Sequence, residues 1–241
     1  MKAFPPEVKE TLKSYVYLYV DPSNNCPFYV GKGRGNRAFA HLGDTDESRK
    51  VERIAAIRAS GKEPRIEILR HGLTDDQAAL VEAAVIDCIG LDHLTNAVSG
   101  QHSRSFGRVS VEDVLLAQTA PKADIDKPCI LITINRLYRS GMTDIELYEA
   151  TRGIWKVGRR REEAKFAMAV FQGVIREVYE IECWHRAGTL LYSTRDATEF
   201  AKSGRWEFEG QVARERSRYV RTSVRHLLKG SNQNPMRYVK C

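Results

Sequence analysis

The run YVYLYVDPSNNCPFYVGKGRGNRAFAH, residues 15–41, constrains this chain more than any other stretch. Its first half alternates, so Val16, Leu18 and Val20 fall on one side of an extended segment and Tyr15, Tyr17 and Tyr19 on the other. The aliphatic side reads as the core face. Asp21-Pro22-Ser23-Asn24-Asn25 makes a polar turn and Phe28-Tyr29-Val30 starts a second strand, so the pair reads as a hairpin with a loop. In this reading Phe28 and Val30 continue the aliphatic side, and Tyr29 joins Tyr17. The second strand runs into Gly31-Lys32-Gly33-Arg34-Gly35, where glycines let backbone amides approach a phosphate and two cations stand beside them. Arg37 and His41 follow at i, i+4, the spacing that stacks two side chains on one helical face.

Downstream, Thr45 or Asp46 is placed to cap a helix that runs from Arg49 through Ile54 and Ile57 to Arg58 and stops at Ser60-Gly61. Arg65 to Leu69 alternates as a short strand. Thr74 and Gln77 form a capping box for a helix over 75–89 that ends at Gly90. Within it, Glu82 has Ala78, Ala79, Val85, Ile86 and Ile89 at −4, −3, +3, +4 and +7, which puts a carboxylate on the apolar face. A buried carboxylate is costly unless a cation compensates it. Two readings follow: a metal ligand, or a structural ion pair with a core arginine. Leu94-Thr95-Asn96 comes next in a loop, where an isolated Asn is ordinarily a turn former.

From Ser14 to Ser99 the chain resembles the GIY-YIG nuclease family, with Tyr15-Val16-Tyr17 in the place of the first motif and Tyr29-Val30-Gly31 in that of the second. It is most similar to the branch that includes the structure-selective nuclease domains of animal LEM-domain proteins. The resemblance implies a small α/β sheet domain that hydrolyses phosphodiesters with one Mg²⁺ or Mn²⁺ held by Glu82. It assigns Tyr17, Tyr29, Arg37, His41, Glu82 and Asn96 to the catalytic set. Tyr17 would position or deprotonate the attacking water with His41 as proton acceptor, and either of the two suits the role of base. Arg37 would bind the phosphate, Lys32 and Arg34 with Gly31 and Gly33 would orient the strand, and Tyr29 and Asn96 would complete the hydrogen bonds. The P-loop alternative for GKGRG lacks the GxxxxGK[ST] spacing. A catalytically idle nucleic-acid binder would have lost a key residue, and none is lost.

The net charge of +7 points to an anionic partner, and Lys202–Cys241 alone carries it, with ten Lys/Arg against three Asp/Glu. The partner expected is nucleic acid, DNA ahead of RNA. The five cysteines are scattered, with no zinc spacing, which suits a reducing cytoplasm. The N-terminus has no apolar leader and no run reaches about 18 apolar residues, so neither export nor a membrane is expected.

A basic polar patch after Ser103, an amphipathic helix over Val111 to Gln118 and the segment TAPKADIDKP mark a boundary. The reading is a two-domain α/β protein: 1–105 as the nuclease domain, 106–127 as helix and linker, and 128–241 as a partly closed mixed β-barrel with inserted helices. The second half shows a strand over 129–134 and a capping box at Thr143 and Glu146. A helix follows over 162–167, then strand-like runs at 168–171, 174–181, 190–192, 206–212 and 236–239, with a helix over 223–229. It resembles PUA-like barrels of the EVE and ASCH type, which implies a pocket for RNA or a modified base. Trp155, Trp184 and Trp206 would supply an aromatic platform and Arg159 and Arg160 phosphate contacts, although tryptophans are commonly core and charge runs commonly solvated. Such a protein would cut modified DNA in restriction or defence. Its alternatives are repair of branched DNA and cleavage of RNA.

Overall fold

The computed structural model describes residues 3–44, 46–228 and 234–241. Thr45, one of the two expected capping residues, lies outside the described residues, as do Lys229 at the end of an expected helix and the first part of the closing segment SNQNPMRYV. The chain divides into two compact units, 1–108 and 109–241. Among the described residues no helix is long and apolar enough to cross a membrane.

The first unit runs α1 (Pro6–Leu12), β1 (Ser14–Asp21), β2 (Cys26–Arg34), α2 (Arg37–Ala40), α3 (Arg49–Ala59), β3 (Arg65–Leu73), α4 (Asp75–Ile89) and α5 (Ser103–Phe106). Its three strands are antiparallel in the order β2-β1-β3. Every residue of the central strand β1 is buried. Val16, Leu18, Val20 and Val30 pack against Ala78 and Ile86 of α4 and against Leu94. The tyrosine side is a second core, closed by Ala38 of α2 and by Ile54 and Ile57 of α3. The expectation of one core face is thus corrected to two, which tyrosines tolerate because each buried hydroxyl finds a partner. Tyr15 donates to the Gly35 carbonyl at 2.8 Å and Tyr19 to that of Ala38 at 2.7 Å.

Phe28 belongs to that tyrosine core and not to the aliphatic side. The β1–β2 register jumps from Tyr19↔Tyr29 to Val20↔Pro27, so Phe28 is the extra residue of a bulge, which turns it toward the Tyr19 ring at 6.0 Å. The cap of α3 is Ser48, whose Oγ accepts from the Val51 amide at 3.4 Å and donates to Asp46 at 2.7 Å. The Thr74–Gln77 capping box forms as expected, and Gly90 ends α4 at φ 90°.

The second unit contains α6 (Val111–Thr119), β4 (Cys129–Thr133), α7 (Asp144–Arg152), β5 (Gly153–Trp155), β6 (Phe166–Phe171), β7 (Val174–Arg186), β8 (Trp206–Val212) and β9 (Met236–Val239). They form one mixed sheet in the order β5-β8-β7-β6-β4-β9, in which β4 and β6 are parallel and the other pairs antiparallel. The outer strands β5 and β9 are not paired with each other among the described residues. Alternate residues of β4 and β6 feed two cores, one around Leu131, Met168 and Val170 and one around Ile132, Ala169 and Phe208.

The Thr143–Glu146 capping box forms, and Gln172 and Gly173, both at positive φ, make the two-residue β6–β7 turn. Three expected elements are corrected. The helix over 162–167 gives way to a 3-10 turn over Arg159–Glu163 and the start of β6, because Phe166 and Ala167 pair with Cys129 and Ile130. No strand forms over 190–192, where the Leu190 amide and the Tyr192 hydroxyl are taken by the Glu207 carboxylate. The helix over 223–229 shrinks to a 3-10 turn over Arg225–Leu227.

Candidate active site

At the end of the three-stranded sheet where β1 begins and β2 ends lies a cleft of about 310 Å³. Tyr29, Lys32, Gly33 and Arg34 enter it from β2, Arg37 from α2, His41 from the turn that follows and Glu82 from α4. These residues stand far apart in sequence and meet because α4 lies across β2 while α2 folds back on it.

Tyr17 lies behind the cleft, fully buried, with its hydroxyl 2.9 Å from Nδ1 of His41. The glycine after Tyr29 allows this: a Cβ on Gly31 would fall 2.7 Å from the Tyr17 hydroxyl and 2.9 Å from the Tyr29 ring. Gly33 likewise leaves room for Arg37, whose Cβ would be 2.7 Å away. Both glycines thus make room for neighbouring side chains of the cleft. Burial pushes the Tyr17 phenol well above its ordinary value, and the neighbouring Tyr29 and Tyr19 add to the rise. Burial also lowers the His41 imidazole below its ordinary value, helped by the charges of Arg37 and Lys50. The phenol keeps its proton and the imidazole tends to lose its own.

Glu82 lies mostly withdrawn, its side chain 17% exposed, and Oε2 accepts from the Lys32 ammonium at 2.7 Å. The ion-pair reading is thus correct in kind but with a lysine from β2, not a core arginine. Among the described residues no donor reaches Oε1 of Glu82, and no group of three or more His, Cys, Asp or Glu could cage a metal. A lone carboxylate could serve Mg²⁺ or Mn²⁺ only with waters and substrate phosphate supplying the other oxygens. The Lys32 side chain is 44% exposed. No carboxylate pairs with the exposed Arg37 guanidinium among the described residues.

Asn96 does not enter the cleft. Its amide clasps both backbone groups of Val30, accepting from the nitrogen at 3.0 Å and donating to the oxygen at 2.8 Å. Thr95 adds a bond from its amide to the Phe28 carbonyl at 2.7 Å, so the 94–96 loop extends the ladder on the open edge of β2. Arg34 is anchored by Ser14 at 2.7 Å and Asp75 at 3.0 Å at the rim.

Residues 14–114 match the family model described as LEM-3-like GIY-YIG domain. This match supports a GIY-YIG domain in the first unit, which suggests a nuclease, and agrees with the resemblance carried by its two motifs. No curated protein and no solved structure matches the chain.

One residue beside the site escaped the sequence reading. Lys50 is 8% exposed, bonds Asp44, and places its ammonium 5.4 Å from the centre of the Tyr29 ring. Its signal was present: Lys50, Ile54 and Ile57 share one face of α3 at i, i+4 and i+7.

The residues singled out in the second unit are largely committed elsewhere. The Trp155 indole donates to the Thr151 carbonyl at 2.7 Å and packs into the core with Phe208, and the Trp184 indole donates to that of Arg161 at 3.1 Å. Arg160 donates to the Cys241 carbonyl at 2.7 Å and lies 5.0 Å over the Tyr238 ring. Arg161, the buried member of the run, stacks 3.5 Å from the centre of Trp206, and the exposed Arg186 lies 4.1 Å from it. Arg159 stays exposed.

Proposed function

We propose that the first unit hydrolyses nucleic-acid phosphodiesters with a divalent ion, Mg²⁺ or Mn²⁺, bound by Glu82. The observation that carries this is the convergence of Tyr29, Lys32, Arg37, His41 and Glu82 on one cleft, with the Tyr17–His41 contact behind it. A bound divalent ion would offset charge on the scissile phosphate and the leaving oxygen. Arg37 grips the phosphate as charge develops, and Lys32 joins it when it releases Glu82. His41 is the better base: it faces the cleft and is held unprotonated, whereas Tyr17 is sealed and its phenolate disfavoured. In the tautomer whose Nδ1–H donates to the Tyr17 hydroxyl oxygen, Nε2 carries the lone pair that takes a proton from water. Tyr17 and Asn96 act as positioning residues, the first on the imidazole ring and the second on the strand that carries Tyr29.

We assign DNA as the substrate ahead of RNA, and target selection to the second unit, read as a PUA-like module of a modification-dependent restriction or defence nuclease. The cationic segment 202–241 supports a phosphate-binding role for that unit, because backbone contacts hold but do not specify. The base-reading platform narrows to Trp206, since Trp155 and Trp184 serve the core. A base would take the place of the exposed Arg186 on its ring. Incubation with plasmid and Mg²⁺, with EDTA as the control, tests hydrolysis. Matched duplexes with plain, methylated, hydroxymethylated and glucosylated cytosine, together with a branched junction and a structured RNA, test the target. Equal cutting of every duplex, or preference for the branch or the RNA, sinks the modified-base reading.

A further inference from the structure

A second cleft, about 440 Å³, opens beside the candidate active site and is lined by Lys9, Glu10, Lys13 and Arg34 together with Leu73. It holds three cations against one carboxylate. Arg34 lines this cleft and the candidate active site alike. The topology explains why these charges meet: Ser14, the first residue of β1, pairs with Arg34 at the end of β2 and with Leu73 at the end of β3, so all three strands terminate here. Lys13 sits one residue earlier and bridges to Leu73. Lys9 comes from the last turn of α1, and its carbonyl accepts from the Lys13 amide at 3.2 Å.

Three features mark the cleft as a binding surface for an anion chain. Neither Lys9 nor Lys13 is in an ion pair among the described residues, so their charge is not consumed by the fold. Arg34 is fixed through Ser14 and Asp75 yet remains 67% exposed, which suits a guanidinium that bridges two neighbouring phosphates. α1, which carries Lys9, lies before residue 14, where the match to the nuclease family model begins.

We propose that the cleft formed by Lys9, Lys13 and Arg34 is a flanking phosphate subsite that holds the substrate backbone next to the scissile phosphate. This rests on the reading of the adjoining cleft as the place of hydrolysis. The ligand class is a phosphodiester chain that spans both clefts across Arg34.

The test is the salt dependence of binding by the full chain to a fluorescent 24-base-pair DNA duplex, measured in EDTA so that no cutting intervenes. The double variant Lys9→Gln/Lys13→Gln removes two charges and keeps side-chain length. If both contact phosphate, the slope of log K against log salt falls in magnitude by about 1.8 relative to wild type. The charge-matched variant Arg58→Gln/Lys62→Gln, in the last turn of α3 and the turn after it and lining neither cleft, should keep the wild-type slope. Unfolding curves of both variants should overlay that of the wild type. An unchanged slope in the first variant overturns the proposal, and so does an equal fall in both, which is a bulk-charge effect. Plasmid cutting is scored separately with Mg²⁺. A wild type that binds without cutting refutes the hydrolytic reading, whereas cutting with an unchanged slope refutes only the subsite.

Discussion

Glu82 in the first unit and Glu207 in the second are both largely withdrawn from water, and their surroundings differ in kind. Glu207 is fully buried and saturated: the amides of Thr189 and Leu190 donate to it at 2.9 and 2.7 Å and the Tyr192 hydroxyl at 2.8 Å. Glu149 is similar, with the amides of Ser193 and Thr194 at 2.6 and 2.9 Å. Burial pushes its carboxyl up, yet these donors, the Thr194 hydroxyl and the Arg152 charge together hold it below its ordinary value. Glu82 has a single partner, a half-exposed lysine. The aromatic groups repeat the contrast, since two indoles of the second unit are tied to backbone carbonyls while Tyr17 is tied to a titratable ring. A polar group whose bonds are all made by the fold supports the fold. One left with an exchangeable partner is available for chemistry.

That contrast is most exposed to test at the two carboxylates. Glu82→Gln should lower cleavage by about 10³-fold, the loss of several kcal/mol of charge stabilisation, and leave urea unfolding nearly unchanged. Wild-type rates in this variant would remove Glu82 from the site. Glu207→Ala should do the reverse. It removes three hydrogen bonds from partly exposed donors, two amides and a hydroxyl, and leaves a gap where the buried carboxylate sat, so its urea midpoint should fall by the equivalent of about 2–3 kcal/mol. A midpoint within error of wild type would show that the loop over 189–192 simply moves away.

A smaller effect is expected where Asn96 holds the edge of β2. Asn96→Ala deletes both hydrogen bonds to Val30 and should cost about 1–2 kcal/mol of stability, with a partial loss of turnover because Tyr29 and Lys32 ride on that strand. Loss of turnover without loss of stability would bring Asn96 into contact with substrate, against its placement here.

Much of the first unit was legible because its signals are local. The β1–β2 hairpin, the Thr74 and Gln77 capping box and the Arg37/His41 spacing each depend on neighbours within a few residues. What was missed there depends on contacts distant in sequence. The bulge at Phe28 is invisible to strict alternation, and the burial of Tyr15, Tyr17 and Tyr19 follows only once α3 covers their face. In the second unit, Phe166 and Ala167 look helical until β4 is there to pair with them, and Leu190 to Tyr192 look like a strand until Glu207 claims their donors. Tertiary pairing overrode local pattern in both places. Lys50 was passed over because a lysine on an apolar face is easily taken for a solvated one.

Lys50 gives the finest test of the contrast, since it concerns the charge around an exchangeable group and not a bond to it. His41 is faced by Arg37 and Lys50, which lower its proton affinity, by Asp44 and Asp46, which raise it, and by the neutral phenols of Tyr17 and Tyr29. As a base His41 must be unprotonated, so turnover should fall as pH drops through a value below the ordinary 6.5 and be level above it. Lys50→Met takes away one lowering charge and frees Asp44, and both changes shift proton affinity upward. The acid limb of the kcat profile should therefore move to higher pH, leaving the variant slower than wild type near pH 6 and close to it near pH 8. Lys50→Arg keeps the charge and should keep the limb in place. Lys50→Met leaves Asp44, about a third exposed, without its partner, so its unfolding midpoint should fall somewhat, and the profiles are compared at a temperature where every variant is folded. An unmoved limb in Lys50→Met would return Lys50 to packing against Tyr29. An upward shift in both variants would trace the effect to geometry and not to charge.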